Sequence, residues 1–179
     1  MLKNFTRLMI IIIIAVLQTT FFQFINISNV SPNLFIITIV SISVLQGRKE
    51  GMIYAVAFGL IQDILFGALV GYFVLIYLLA AGISGYLYRN FYAESVVIPL
   101  TAIGISSFAY NLIIYFTTYL LRGRIDVVYY LFVIILPELT YTVVVAVGLY
   151  RIFIMYSHYM DEYEKDKRKG GDGLYERDF

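Results

Sequence analysis

The chain has no cysteine, which excludes disulfides, thiol chemistry and cysteine-held metals. It has one histidine, His158, so histidine-built metal clusters and hydrolytic triads are not expected. Charge is scarce: 14% of its 179 residues are Asp, Glu, Lys or Arg, where a soluble domain carries about a quarter. The net charge of +1 points to no nucleic-acid partner. The sequence shows no phosphate loop, no nucleophile elbow and no inverted internal repeat. The expectation is a protein that is not an enzyme and needs no cofactor or metal.

Apolar residues are abundant instead. They make up 61% of the chain, and the mean hydropathy is +0.83. They fall in runs of the length that reads as a membrane span, about 20 residues. The first run, "LMIIIIIAVL", follows Lys3 and Arg7 and has no small-x-small cleavage site after it, so it reads as an uncleaved span. Spans are expected at about 8–25, 33–46, 51–68, 71–88, 96–121 and 127–150. Residues 51–88 form one nearly continuous apolar stretch. As a single helix it would reach about 57 Å, nearly twice the roughly 30 Å of hydrocarbon. It must fold back, and its midpoint at Leu69–Val70 lies between Gly67 and Gly71, which permit a tight reversal.

Lys and Arg placement orients the spans. With a cytoplasmic N-terminus, only Arg122 and Arg124 of the 13 basic residues fall outside. The fold expected is therefore an all-α polytopic membrane bundle of six transmembrane helices, with both termini cytoplasmic. Residues 1–156 form the membrane domain, and 157–179 form a short charged cytoplasmic tail expected to be disordered.

Four polar side chains lie inside the apolar runs: Gln62, Asp63, Asn111 and Glu138. A carboxylate in hydrocarbon costs about 2.5–3.5 kcal/mol on insertion scales, so each must face protein or water. Gly59, Asp63, Gly67 and Gly71 are spaced by four. On a helix that spacing makes one stripe, where small residues admit a neighbouring backbone. Asp63 is then either a structural carboxylate bonded at the hairpin or a partner-binding position. Glu138 follows Pro137, where a helix loses a hydrogen bond and bends. Asn111 lies at similar depth in the preceding span, and we expect it to face Glu138.

The stretch "SPNLFIITIVSISVLQGRKEGMIYAVAFGLIQDILFGALVGYFVLIYLLAAGISGYLYRN" resembles the MreD family of rod-shape-determining membrane proteins. The matching features are Pro32, the basic loop Gly47 to Gly51, and the series Gly59, Asp63, Gly67, Gly71. Gly82, Gly85 and Arg89 follow, and Pro137 matches a later proline. The resemblance implies a non-enzymatic scaffold in the bacterial cytoplasmic membrane, part of the cell-elongation complex for peptidoglycan synthesis. It implies MreC as partner, with MreB, RodZ and a cell-wall glycan polymerase and transpeptidase. It also implies a bundle similar to the S components of energy-coupling-factor transporters. That likeness supplies the rival expectation, a solute-binding transport subunit with Asp63, Asn111 and Glu138 lining its pocket.

Overall fold

A computed structural model of the chain describes residues 2–21, 30–67, 69–90, 97–119 and 127–175. Most of loop Asn26–Ser31, the loop with Arg122 and Arg124, and residues 176–179 lie outside the described residues.

The described residues form six helices. Helix α1 (Leu2–Val16) widens into a π-helical turn at Leu17–Phe21. Helices α2 (Leu34–Gln46), α3 (Arg48–Phe66) and α4 (Tyr72–Asn90) follow. Helix α5 (Val97–Ile114) ends in a second π turn at Tyr115–Tyr119. Helix α6 starts at Val127–Tyr130, passes through π-helical Leu131–Ile135, and continues over Leu136–Tyr175. The helices fall where the hydropathy places the apolar runs. Two of them, Val97–Thr118 and Val127–Ser157, are long and apolar enough to cross a membrane.

Helix α6 runs past residue 157, where the charged tail starts, to Tyr175. The sequence there sets acids four residues ahead of bases, Asp161 before Lys165 and Glu164 before Arg168. That spacing supports helix.

Helix α2 is the axis of the bundle. Its residues Leu34 to Val44 are all buried, and α3, α4, α5 and α6 pack around it. Buried on every side, it has no polar face, which is why it reads as a continuous apolar run. Small residues set the close packing at one end of this group. A single residue, Gly47, joins α2 to α3 with φ of 95°, a left-handed conformation suited to glycine. A Cβ on Gly51 would lie 2.5 Å from Ser43, and one on Gly85 would lie 2.6 Å from the Arg48 Cα. The Ser43 hydroxyl donates to the Ala81 carbonyl at 2.6 Å, tying α2 to α4. Ring stacking adds Phe35 on Phe58 at 4.8 Å and Tyr77 on Tyr110 at 5.7 Å. Arg7 of α1 is ion-paired with Glu50 of α3, both largely buried.

The outer surface carries many large apolar side chains. Leu75, Leu79, Ile83 and Tyr86 recur every three or four residues along α4, each 60% exposed or more. A water-soluble protein does not present such a stripe without a partner. A bilayer is the surrounding it suits.

Candidate functional site

Two polar constructions lie at the same end of the bundle, where α1, α3 and α5 finish and α2, α4 and α6 begin.

The first is the α3–α4 hairpin. Asp63 sits on α3, one turn before its end, and is 2% exposed. Its carboxylate accepts three backbone N–H groups from across the turn. Gly71 donates at 2.8 Å, Phe73 at 2.9 Å and Val74 at 3.4 Å. These are N–H groups of the kind a helix start leaves without partners. Asp63 therefore caps the helix that follows its own, and its negative charge meets the positive end of the α4 dipole. The glycines make the geometry possible. Gly67 ends α3 with its N–H on the Asp63 carbonyl at 3.0 Å. Gly71 has φ of 100°, which L side chains rarely adopt. A Cβ on Gly59 would lie 2.5 Å from the Val74 Cα, so α3 and α4 touch backbone to backbone there. The tip beyond the cap exposes Leu65, Phe66, Leu69 and Val70.

The second is a polar cavity of about 220 Å³ among α1, α2, α3, α5 and α6. Gln18, Ser31, Asn33, Gln62, Tyr110, Asn111, Tyr130 and Glu138 supply its polar wall. The chain reaches it without helical structure: Ser31, Pro32 and Asn33 precede the first residue of α2. At 13 residues α2 spans only about 20 Å, and its start is buried in the bundle at Asn33 and Leu34. The first N–H groups of a helix have no partner within it and need one from outside. Side chains supply them here. The Asn33 side chain accepts from Ile36 N–H at 3.1 Å, Gln18 accepts from Leu34 N–H at 2.7 Å, and Asn33 N–H donates to the Thr142 hydroxyl at 3.2 Å. Asn111, 2% exposed, donates from its amide to the Ser107 carbonyl at 3.1 Å. Its amide also lies within reach of the Glu138 carboxylate.

Helix α6 carries Glu138 past a proline. Pro137 has no N–H to give the carbonyl four residues back. Just before it the ladder widens to i→i+5, with Leu136 N–H on the Leu131 carbonyl. Pro137 itself faces away from the polar cavity, into an apolar groove with Val30, Phe132, Leu136, Thr140, Tyr141 and Val144.

The structure thus brings Gln62, Asn111 and Glu138 to one cavity and sets Asp63 apart in the hairpin. Sequence reasoning missed Gln18, Asn33 and Tyr110. Asn33 carried a signal, as an Asn after Pro32 and ahead of an apolar run is an N-cap pattern. Gln18 and Tyr110 carried none.

No curated protein and no solved structure matches the chain. The sequence model of the family described as rod shape-determining protein MreD matches residues 1–160, and the chain belongs to that membrane-protein family.

Proposed function

We propose that the protein is a multi-pass scaffold of the bacterial cytoplasmic membrane that binds MreC and organises the cell-elongation complex. Its six helices cross the bilayer with both termini in the cytoplasm. Family membership over residues 1–160 carries this reading, since the family is one of rod-shape determination. Supporting it, nearly all of the described chain belongs to a bundle with an apolar exterior. Association of helices in lipid draws on packing and polar contacts rather than the hydrophobic effect. At the membrane edge water returns, and apolar tips regain that drive. The hairpin tip, with Leu65, Phe66, Leu69 and Val70 exposed beyond the Asp63 cap, is the surface proposed for MreC at the outer face.

The solute-transport reading is the weaker one. Its cavity of about 220 Å³ falls below the 300–1,000 Å³ of sites that enclose a drug-sized molecule. The test is purification of the tagged protein from its own membranes in mild detergent. Recovery of MreC with wall-synthesis enzymes supports the scaffold. Recovery of paired ATPases and a coupling subunit overturns it. Leu69→Asn with Val70→Asn should lower MreC recovery at unchanged membrane level.

A further inference from the structure

The helices of the bundle are not held alike. Helices α2, α3 and α4 meet through glycines that let their backbones close up. A Cβ on Gly51, Gly59 or Gly85 would lie within 2.6 Å of an atom of the neighbouring helix. Helix α1 packs against α2 and α3 without such an approach, since it has no glycine. Of its side chains from Phe5 to Val16, only Ile14 is buried. Phe5, Leu8, Met9, Ile12, Ile13 and Val16 are each at least 43% exposed. Its inner face, with Ile10, Ile11 and Ile14, packs on the core. Acyl chains can replace that contact at little cost, because lipid tails are as apolar as those side chains.

What holds α1 specifically is polar, and it sits at the two ends. Toward the start of α1, Arg7 pairs with Glu50 in the first turn of α3. At the other end the π turn carries Gln18, whose side-chain oxygen accepts from the Leu34 N–H at 2.7 Å. Gln18 is also the contribution of this flank to the wall of the polar cavity. Arg7 and Glu50 both lie within two turns of their helix starts. Once parted, each can extend to water, so release strands no buried charge.

We propose that α1 is a movable flank of the bundle. The Arg7–Glu50 pair and the Gln18–Leu34 bond hold it against α2 and α3, and its release opens the polar cavity sideways toward the bilayer. The glycine-packed helices α2, α3 and α4 stay in place as it moves. The inference does not rest on the scaffold reading, because the hairpin tip takes no part in it.

The test is amide hydrogen exchange, read by mass spectrometry on the full chain in lipid nanodiscs. Residues 34–36, beside Gln18, report release of α1, and residues 69–75 of the hairpin are the internal control. Arg7→Ala should speed exchange at Leu34 roughly tenfold, the worth of one hydrogen bond to a charged group, and leave the hairpin unchanged. No change at Leu34 overturns the proposal, because α1 then does not move. An equal change in the hairpin also overturns it, because the whole bundle then loosens. Should Arg7→Ala fail to fold, the double variant Arg7→Cys, Glu50→Cys asks the same question within one preparation. The chain has no cysteine of its own, so only this pair can react. Oxidised, the variant is clasped; reduced, it is not. Exchange at Leu34 should be roughly tenfold slower in the oxidised form, and equal exchange overturns the proposal. Failure of the pair to cross-link, by disulfide or by a short bismaleimide, removes the clasp and the proposal with it.

Discussion

Removing the Asp63 carboxylate should open the α3–α4 hairpin, and the cost can be worked from its bonds. Three backbone N–H groups, of Gly71, Phe73 and Val74, point at two oxygens that are almost wholly buried. Each donor left unpaired costs about 1–3 kcal/mol. Water reaching the turn relieves part of it, and a lost helix cap is typically worth about 1 kcal/mol, up to about 2. Roughly 1 kcal/mol per donor gives about 3 kcal/mol for Asp63→Ala. Asp63→Asn should cost about half that. Its oxygen can keep Gly71 and Val74, which share Oδ2, while its NH₂ faces the Phe73 N–H, donor to donor. Amide hydrogen exchange read by mass spectrometry over residues 69–75 is the direct assay, since opening of the turn exposes those amides. A loss of about 3 kcal/mol is a roughly 100-fold gain in exchange rate. Unchanged exchange in Asp63→Ala would refute the capping argument. Equal effects of Ala and Asn would refute the count of bonds. Lost MreC recovery with normal exchange would move Asp63 from the fold to the partner surface.

Gly59→Ala should destabilise by about 1–3 kcal/mol, because its Cβ meets the Val74 backbone rather than a movable side chain. Gly148→Ala, with nothing within 4 Å of its Cβ, is the control and should be neutral or slightly stabilising in the same melt. Arg7→Ala and Glu50→Ala should each lower stability, and the double variant should cost less than their sum; additive losses would show that this pair is not coupled. Glu138→Gln should fold better than Glu138→Leu, since only the amide keeps a polar contact for Asn111; equal folding yields would sink that pairing. Gln62→Leu should leave exchange at residues 69–75 unchanged, and an opened hairpin in that variant would merge the two polar sites into one.

That last contrast shows where the sequence is legible and where it is not. Gln62 and Asp63 are neighbours, and neighbours on a helix diverge by about 100°. One therefore reaches the cavity and the other the turn. The hairpin could be read in advance because its signals are local. An over-long apolar run forces a reversal, and glycines at 67 and 71 mark the place. The helices could be placed for the same reason, since each is an uninterrupted run of side chains that lipid or the core accepts. The cavity could not be read, because its wall comes from five segments spread between Gln18 and Glu138. Each polar residue there stands alone in an apolar run, and only tertiary packing shows that they converge. The π turns left little trace either. Those at Leu17–Phe21 and Tyr115–Tyr119 have no proline beside them, and only Leu131–Ile135 is flanked by one. Such turns re-aim side chains and are common at functional sites. Each of these three lies in a helix that lines the cavity, with Gln18 inside the first and Tyr130 directly before the third. The third has a local cause in Pro137, which has no N–H to give, whereas the first two arise in packing that no single residue announces.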